Sequence, residues 1–464
     1  MQTATAPSAE TSFLPFAGQR IAVVGLGRAG LPAARRLRDW GAEILCWDDQ
    51  AASRAAAGAA GLPVGDPTAL PGFRFDALLL SPGIPHILPR AHPAALRARE
   101  AGVPVLCDAE LLFRAVRAAG SRARFVGITG TNGKSTTTAL VHHLLRGAGR
   151  VAEVGGNLGP AALGLPLLAD DGTYVLEMSS YMLERTDRLH FDVAAVLNLS
   201  PDHLDRHGGM AGYAAAKARI FAHQAATDTA VIGMDDATGA QFAAGLAARV
   251  VPVSGATPQP GGIWAEGRRL RDAQGVIADL NEASALPGSH NAQNAAAATA
   301  IGFALGLPRD AVAAGLRSFP GLPHRQERVG TRAGVTFVND SKATNADSTA
   351  RALASYNRVV WIGGGVPKAG GIDGLAPFFG RIAHAVLIGQ CAGDFASTLS
   401  AHDVANEVAV TLGAAVPAAQ AAARRLGVPV VLLSPACASF DQFTGFDARG
   451  DAFRALVAEL PETE

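Results

Sequence analysis

The chain has 464 residues, and its 40 Lys and Arg side chains balance 40 Asp and Glu, so the formal net charge at pH 7 is zero. A neutral chain has no electrostatic preference for nucleic acid or for an anionic membrane surface. Hydrophobic residues make up 49% of the sequence and aromatic residues 6%, a composition that excludes disordered and collagen-like chains and predicts large aliphatic cores.

Short apolar runs alternate along the chain with segments of helical period, which is the pattern of parallel sheets covered by helices. The predicted strands lie at 20–25, 43–47, 76–81 and 103–107, then at 125–129, 173–177, 193–199 and 230–234, and finally at 335–339, 359–363, 385–388 and 430–434. Helices are predicted at 30–40, 93–101 and 108–119. The fold class predicted is α/β, and the first part is a doubly wound unit.

Two breaks in this pattern divide the chain. A polar connector covers residues 117–124, and a stretch marked by Pro and Gly covers 318–325. Such segments are typical of domain boundaries. We therefore predict three domains, at 1–120, 121–321 and 322–464.

The four cysteines stand far apart and include no C-x-x-C pair, which indicates neither a disulfide framework nor a cysteine zinc site. The first residues lack a basic segment followed by a long apolar one. The longest uncharged stretch, 283–308, is interrupted by polar side chains and predicts an Ala-rich helix instead of a membrane span. We expect a soluble protein of the reducing cytoplasm.

The first predicted strand runs into the sequence GLGRAG, from Gly25 to Gly30, at the start of a helix. Glycines in a G-x-G-x-x-G motif let the backbone approach a diphosphate, and the helix N-terminus stabilises its charge. Asp48 and Asp49 follow the next strand, at a distance suited to ribose hydroxyls. The motif favours a dinucleotide over another diphosphate ligand, but it does not identify the nucleotide.

The sequence GITGTNGKST, which begins in the strand at 125–129, is the strongest signal in the chain. It has the order of a phosphate-binding loop, in which backbone N–H groups surround phosphate oxygens, Lys134 neutralises their charge and the Ser135 hydroxyl binds Mg²⁺. Ile128 occupies the first Gly position of G-x-x-x-x-G-K-[ST], so the spacing departs from that motif. We predict that this loop binds ATP.

Two further groups of ligands follow neighbouring strands. Glu177 ends the strand at 173–177, where its carboxylate could complete a Mg²⁺ shell, although an exposed Glu at a strand end is an alternative. The loop SPDHLDRH, which contains His203, is dense in oxygen and imidazole ligands, and its alternative is a solvated polar loop. The position of both at strand ends favours a site.

Only four of the 40 basic residues are Lys, and all of them lie in or beside a motif: Lys134, Lys217, Lys342 and Lys368. Lys differs from Arg where a compact charge is needed or where the amine must lose its proton. Lys217 lies on a predicted helix, where an ordinary surface lysine is one interpretation. The other is a buried amine that reacts with CO₂, giving a carbamate that binds a cation.

The remaining polar motifs also lie at helix or strand ends. Asn291 and Asn294 are three residues apart and therefore share one face of the Ala-rich helix. Arg325 stands at the second boundary, from where a guanidinium could reach ATP. The sequences NDSKATN and SPACASFD follow the strands at 335–339 and 430–434. Because α/β folds bind ligands at strand C-termini, these motifs favour one shared site.

Together the motifs GTNGKST, LEMSS, SPDHLDRHG, AAAKARI, HNAQN, PHR, NDSKATN and SPACASFDQF resemble those of the Mur ligase family, over residues 25–449. GLGRAG and SPACASFDQF are similar to the corresponding motifs of one branch of this family. That branch adds D-glutamate to UDP-N-acetylmuramoyl-L-alanine in cytoplasmic peptidoglycan synthesis. The DNPR signature of the branch that adds a diamino acid is absent from the sequence. The resemblance implies a Rossmann-like domain for the UDP substrate, a central P-loop ATPase-like domain with a parallel or mixed sheet, and a Rossmann-like C-terminal domain for the amino acid.

The resemblance also implies a reaction. The L-alanyl carboxylate attacks the γ-phosphate of ATP, which gives an acyl phosphate and ADP. The amine of D-glutamate then attacks that carbonyl, and a tetrahedral intermediate expels phosphate. Charge neutralisation and in-line positioning must supply most of the acceleration, through Lys134 and two Mg²⁺ ions. A monomer is expected.

Carried over residue by residue, the resemblance assigns catalytic roles to Lys134, Glu177, His203 and Lys217. The metal ligands that it implies are Ser135, Thr136, Glu177, His203 and Lys217, with a carbamate formed on Lys217 from CO₂. The ATP contacts are Gly130, Thr131, Asn132, Gly133, Lys134, Ser135, Thr136, Asn291, Asn294, Arg325 and Asp340. The UDP-substrate contacts are Gly27, Arg28, Ala29, Asp48, Asp49, Gly83, Asn157 and His203. The D-glutamate contacts are Lys342, Thr344, Lys368, Ser439 and Phe446.

The sequence departs from the family at Met182, where members often carry Gln, and the loop of Lys368 varies in length among them. The alternatives within the superfamily are an L-glutamate-accepting muramyl ligase and a folylpolyglutamate synthase-like ligase. From a different class, a nicotinamide-dependent oxidoreductase would leave GTNGKST unexplained. A nucleotide-binding regulatory protein without catalysis would not need Glu177, His203 and Lys217 together.

Overall fold

The structure is a computed structural model that describes residues 13–367 and 370–462 of the chain. The described residues form two compact units. The first combines the chain up to Glu282 with His290–Arg317, and the second combines Ala283–Ser289 with the chain from Ser318 onward. The predicted domain limits at 120/121 and 321/322 stay predictions.

The first unit begins with a four-stranded parallel sheet in the order β2-β1-β3-β4. Its strands are β1 (Arg20–Val24), β2 (Glu43–Trp47), β3 (Ala77–Leu80) and β4 (Val105–Leu106). Its helices are α1 (Gly30–Asp39), α2 (Ala51–Ala59), α3 (Pro93–Glu100) and α4 (Asp108–Ala118). All four residues of β3 are buried, as expected for a parallel strand with helices on both faces.

The same unit contains a nine-stranded sheet in the order β13-β12-β11-β10-β9-β8-β5-β7-β6. Its strands are β5 (Arg124–Thr129), β6 (Ala152–Gly156), β7 (Thr173–Glu177), β8 (Val193–Val196), β9 (Thr229–Gly233), β10 (Arg249–Ser254), β11 (Ile263–Glu266), β12 (Arg269–Asp272) and β13 (Gly275–Asp279). The helices that follow in this part of the chain are α5 (Lys134–Gly147), α6 (Ser180–Leu183), α7 (Leu204–His207), α8 (Met210–Ala218), α9 (Gly239–Ala243), α10 (Ser289–Ala304) and α11 (Arg309–Ser318). The sheet is mixed, because β12 pairs antiparallel with both neighbours.

The second unit contains a six-stranded sheet in the order β14-β15-β19-β16-β17-β18, in which only the β14–β15 pair is antiparallel. Its strands are β14 (Glu327–Arg332), β15 (Val335–Asn339), β16 (Val359–Gly364), β17 (Ile382–Ile388), β18 (Asn406–Val410) and β19 (Val430–Leu433). Its helices are α12 (Ala346–Ala354), α13 (Ala392–Ala401), α14 (Leu412–Leu426) and α15 (Phe446–Glu459). The three sheets confirm the predicted α/β class, and each predicted strand is present with its ends shifted by at most a few residues.

The structure adds strands that the sequence pattern did not reveal. The hairpin strands β11 to β13 are four or five residues long and each contains Arg, Asp or Glu, so they lack the longer apolar run that marks a strand buried on both faces. The predicted Ala-rich helix is shorter than the stretch 283–308, because Pro287 and Gly288 precede its first turn. None of the helices in the described part of the chain combines the length and apolar character needed to span a bilayer.

Two buried charges join the first sheet to the second within the first unit. Glu110, on α4, is completely buried and accepts the backbone N–H groups of residues 187–189 at 2.8–3.1 Å as well as the Arg114 Nε. Arg185 is 1% exposed and donates to the carbonyl oxygens of Leu80 (2.7 Å), Ser81 (2.8 Å) and Ile84. Burial lowers the pKa of Arg185 to about 10. The Glu110 bonds fix α4, and the Arg185 bonds fix the loop after β3, against the segment after α6.

We predict that Glu110→Gln lowers the free energy of unfolding by about 3 kcal/mol, because it leaves buried N–H donors facing an amide. Urea unfolding of the full chain measures this difference. Glu100→Gln is the matched control, since the Glu100 side chain is 68% exposed and such substitutions usually change stability by less than about 0.5 kcal/mol. Equal midpoints for the two variants would contradict the structural role of Glu110.

Candidate active site

The loop between β5 and α5 has the backbone of a phosphate cradle. Gly130 and Gly133 adopt φ values of 149° and 81°, and α5 begins directly after Gly133. A Cβ at Gly133 would lie 2.2 Å from the Asn294 Oδ1, so this position excludes any side chain. The first N–H groups of the helix have no partner within the helix and attract anions. The loop is therefore shaped to receive phosphate oxygens.

Asn198, at the end of β8, holds this loop from the neighbouring strand. Its Oδ1 accepts the Asn132 N–H (2.8 Å), its Nδ2 donates to the Asn132 carbonyl (3.1 Å), and its own carbonyl accepts the Thr131 N–H (3.0 Å). Asn198 was not among the predicted site residues. Its place at the start of the SPDHLDRH loop was the available signal.

Asn291 and Asn294 lie where the predicted helix face suggested, beside the start of α5. The Asn294 Nδ2 donates to the Asn291 Oδ1 (3.0 Å), and its Oδ1 accepts the Thr137 hydroxyl (3.3 Å). Both residues are buried. The structure thus places this asparagine pair beside the predicted ATP loop, where the Asn294 Oδ1 lies next to Gly133.

Two ammonium groups converge on one carbonyl of the loop. The Lys134 Nζ donates to the Gly130 and Thr131 oxygens at 3.0 and 2.9 Å, and the Lys217 Nζ donates to the Gly130 oxygen at 2.7 Å. Lys217, on α8, is 1% exposed. Burial lowers the pKa of Lys217 well below its usual value, the charge of Lys134 lowers it further, and Asp202 and Glu177 oppose the shift. Lys217 is therefore not an ordinary surface lysine.

Glu177, the last residue of β7, presents a buried carboxylate to this region. It is 1% exposed, and its Oε1 accepts the Asn157 Nδ2 at 2.6 Å. Its Oε2 is buried without a hydrogen-bond partner among the described residues. A buried carboxylate oxygen without a partner costs free energy unless a cation or donor reaches it. This oxygen fits a bound cation, and the exposed strand-end alternative is wrong.

His203 stands on a loop held in an unusual conformation. Its φ is 51°, its side chain is 47% exposed, and its ring lies 5.0 Å from the Tyr181 ring. Burial lowers the pKa of His203, an effect that the charges of His207, Lys134 and Lys217 increase and Asp202 opposes. A neutral imidazole is the form that ligates metals.

His207, which was not among the predicted site residues, fixes the loop of His203. Its Nδ1 lies 2.8 Å from the Glu184 Oε1 and its Nε2 lies 2.9 Å from the Ser180 Oγ. Its side chain is fully buried and stacks on Tyr181 with ring centroids 5.6 Å apart. The second histidine of SPDHLDRH was the signal that could have identified it.

A cavity of about 460 Å³ lies at the glycine-rich turn of the first sheet. Six of the predicted UDP-substrate contacts line it, namely Gly27, Arg28, Ala29, Asp48, Asp49 and Asn157. The Arg28 Nη2 donates to the Asn157 carbonyl at 3.3 Å. Met182 also lines this cavity, where it offers a thioether instead of an amide. The structure therefore brings most of the UDP-side prediction together.

Two of the predicted UDP contacts are engaged with the protein itself. The two oxygens of Asp48 accept the backbone N–H groups of Leu26 (2.7 Å) and Gln50 (2.9 Å). Gly83 is not among the lining residues, and its carbonyl accepts the Arg206 Nη1 at 3.0 Å. The bonds of Asp48 therefore shape the wall of the cavity, whereas Gly83 is not part of that wall.

The second unit carries the predicted sites that follow β15 and β19. Asp340 is buried, and its two oxygens accept the Ser434 hydroxyl (2.8 Å) and the Gln326 N–H (3.2 Å). Burial raises the pKa of Asp340 to about 7, against the charge of Arg325. The Lys342 Nζ lies 5.1 Å from the centre of the Phe446 ring.

Other predicted residues of this unit lie in the same strand-end loops. The Thr344 N–H donates to the Lys342 carbonyl at 2.9 Å, and Ser439 is buried in the loop after β19. Lys368 lies outside the described residues. Arg449, which was not predicted as a site residue, is 1% exposed and donates to the Ser341 hydroxyl and carbonyl at 2.9 and 2.8 Å. It ties α15 to the NDSKATN loop.

Within residues 13–367 and 370–462, no three His, Cys, Asp or Glu side chains form a cluster able to hold a metal ion. A cation near Glu177 would therefore need other oxygen ligands, such as hydroxyls or phosphate. Ser135 is buried at the start of α5, and Thr136 follows it.

Comparison with known proteins finds a family model and curated relatives that agree with each other. Residues 128–302 match the family model of the Mur ligase middle domain. The UDP-N-acetylmuramoylalanine–D-glutamate ligase of Caulobacter sp. (strain K31) is 51% identical over 456 residues, which cover 96% of this chain and 97% of that protein. The protein of the same name from Phenylobacterium zucineum (strain HLK1) is 49% identical over 458 residues, with the same coverage.

Solved structures show the same fold at low sequence identity. UDP-N-acetylmuramate-alanine ligase MurC from Thermotoga maritima superposes with a TM-score of 0.59 and 17% identity, over 95% of this chain and 99% of that one. A crystal structure of MurF from Acinetobacter baumannii gives a TM-score of 0.56 and 20% identity, over 77% of this chain and 81% of that one.

We predict that Gly133→Ala weakens MgATP binding at least about tenfold, because a φ of 81° and a contact of 2.2 Å exclude a Cβ there. Isothermal titration calorimetry measures the affinity. The control is Gly147→Ala at the end of the same helix, where a Cβ would meet nothing within 4 Å. Unchanged affinity in the Gly133 variant would contradict a phosphate cradle at this loop.

Proposed function

This chain belongs to the Mur ligase family, and we propose that it joins D-glutamate to UDP-N-acetylmuramoyl-L-alanine at the expense of ATP. Members of this family are ATP- and Mg²⁺-dependent ligases that build the peptide of peptidoglycan. The choice of D-glutamate rests on one observation, the identity of about half of all residues with relatives of that name over 96% of the chain. A monomeric state and a cytoplasmic location stay predictions.

The proposed reaction has two steps. The L-alanyl carboxylate attacks the γ-phosphorus, the bond to the β-phosphate oxygen breaks, and ADP leaves. The amine of D-glutamate then attacks the acyl carbon, loses a proton, and phosphate departs from the tetrahedral intermediate. An anionic nucleophile and an anionic phosphoryl group repel each other, so Lys134 and the N-terminus of α5 contribute by neutralising charge.

The donors at the phosphate loop fit the Mg²⁺ on which the family depends. In this proposal the buried Ser135 hydroxyl and the unpartnered Glu177 Oε2 hold one ion, with Thr136 nearby. His203 and a carbamate on Lys217 hold a second. When bound, Mg²⁺ neutralises phosphate charge and draws the reacting oxygens together.

The contacts of Lys217 support the carbamate. A neutral amine attacks CO₂, a nitrogen–carbon bond forms, and a proton leaves, so the product is an anion. Burial and the neighbouring Lys134 favour the neutral amine. Loss of the Lys217 proton removes one of the two positive charges directed at the Gly130 carbonyl. The product supplies oxygen ligands where the protein offers few acidic ones.

Substrate contacts complete the proposal in each unit. In the first unit, Gly27, Arg28, Ala29, Asp48, Asp49, Gly83 and Asn157 form the UDP side, together with His203. Asn291 and Asn294 contact ATP in the first unit, as do Arg325 and Asp340 in the second. Lys342, Thr344, Lys368, Ser439 and Phe446 receive the two carboxylates and the chain of D-glutamate, since ammonium groups and hydroxyls suit a dicarboxylate.

The proposed function predicts ADP release only when ATP, UDP-N-acetylmuramoyl-L-alanine and D-glutamate are all present. A coupled ADP assay with a panel of D- and L-amino acids measures this dependence. Turnover with L-glutamate at the rate of D-glutamate would contradict the proposed specificity. Release without the muramyl substrate would contradict the muramyl ligase itself, and folate-dependent release would favour a folylpolyglutamate synthase.

We predict that Lys217→Ala lowers kcat at least about 10²-fold, because a positioned anion is lost from the phosphoryl-transfer site. Acetate or propionate partly restores the rate by supplying the missing carboxylate. Lys217→Arg is the control, since its guanidinium stays protonated and cannot react with CO₂. NMR of the wild type with ¹³C-labelled bicarbonate reports the carbamate independently of activity. Full activity in the alanine variant would contradict this role.

A further inference from the structure

Cys391 and Cys437 lie in contact in the second unit, although 46 positions separate them in the sequence. Their Sγ atoms are 3.3 Å apart, both side chains are buried, and both thiols are free. A disulfide has an S–S bond of about 2.0 Å. The two sulfurs therefore need to approach by little more than an ångström to form a bond.

The sheet order explains why these thiols meet. Cys391 follows β17 and Cys437 follows β19, while β16 lies between those two strands. The loop after β16 bonds to both sides, since the Gly365 carbonyl accepts the Cys391 N–H (3.1 Å) and Val366 pairs with Ala438 through two backbone bonds (2.9 and 3.2 Å). The sulfurs meet beside the end of the middle strand.

Gly365 provides the room for this contact. Its φ is 137°, and a Cβ there would lie 2.3 Å from the Ala438 oxygen and 3.1 Å from the Cys437 Cβ. A larger residue would push the loop after β19 away from β16. The backbone at the carboxyl ends of β16, β17 and β19 therefore determines the close approach of the two cysteines.

The hydrogen bond between the two sulfurs affects the two thiols differently. The hydrogen bond between the sulfurs lowers the pKa of Cys391, and the same bond together with burial raises the pKa of Cys437. The thiolate is the nucleophile in thiol oxidation. We therefore assign the first attack to Cys391, whose pKa is lowered, and the resolving role to Cys437, whose Sγ lies 3.3 Å away.

We propose that Cys391 and Cys437 are a modification site at which a peroxide forms a reversible disulfide that holds the SPACASF loop and stops turnover. The Cys391 thiolate attacks one oxygen of hydrogen peroxide, the O–O bond breaks, and a sulfenic acid and water form after proton uptake. The Cys437 sulfur then attacks the Cys391 sulfur and displaces hydroxide, which leaves as water. Two thiols and one peroxide become one disulfide and two waters.

The effect on turnover follows from the position of Ser439, two residues after Cys437. A covalent bond between the ends of β17 and β19 restricts any adjustment of this loop around the amino acid. This consequence depends on the proposed function, in which Ser439 contacts D-glutamate, whereas formation of the disulfide does not.

The experiment treats the full chain with hydrogen peroxide, alkylates the remaining thiols, and analyses the digest by mass spectrometry. We expect a peptide pair linked through Cys391 and Cys437, a loss of ADP release in proportion to the linked fraction, and recovery with dithiothreitol. Cys391→Ser and Cys437→Ser, assayed separately, keep their activity after peroxide. Cys46→Ala removes a buried thiol of the first unit and is the matched control, which responds like the wild type.

Two outcomes overturn the proposal. Absence of the linked peptide in oxidised wild type means that the pair does not form a disulfide. A linked peptide with undiminished turnover means that the bond does not restrain catalysis. If ADP release fails before oxidation but the linked peptide still forms, the proposed function is at fault and the modification site stands.

Discussion

The carbonyl oxygen of Gly130 is the point at which the candidate site of the first unit is held together. Lys134 and Lys217 both donate to it, from the start of α5 and from the end of α8. Two ammonium groups so close together in a buried region disfavour each other's charge. The protein tolerates the arrangement because burial and the charge of Lys134 favour the neutral form of Lys217.

The strand ends around this carbonyl determine what else can gather there. β5 supplies the glycine turn, β8 supplies Asn198, and β7 supplies Glu177 with its unpartnered oxygen. These three strands are neighbours in the order β8-β5-β7. Because the carboxyl ends of parallel strands lie at the same edge of a sheet, the glycine turn, the Glu177 carboxylate and the Asn198 amide come together without long loops.

Short motifs encode most of this site, and for that reason much of it could be predicted from the sequence. The turn at GITGTNGKST, the strand-end Glu177 and the helix of Lys217 follow from local pattern, and the parallel sheet brings them together. Side-chain partners were harder to predict. Asp48 accepts the N–H of Leu26 in the turn after β1 as well as that of Gln50 in its own loop, and Asn198 and Arg449 bond to groups far away in the sequence, so no local spacing marks these contacts. Tertiary pairing decides such positions, as it does for the hairpin strands β11 to β13.

The scarcity of lysine gains a physical meaning from these contacts. Arg serves the buried structural roles, as Arg185 and Arg449 show, because its planar guanidinium donates to several carbonyls at once and stays charged. Lys217 occupies a buried place of similar exposure but bonds a single carbonyl and one hydroxyl, and burial favours its neutral form. An arginine there would retain its proton beside Lys134. Lysine at position 217 therefore provides a buried amine whose surroundings disfavour the charged form, which an arginine would not, and the rarity of lysine in a chain rich in arginine already drew attention to this position.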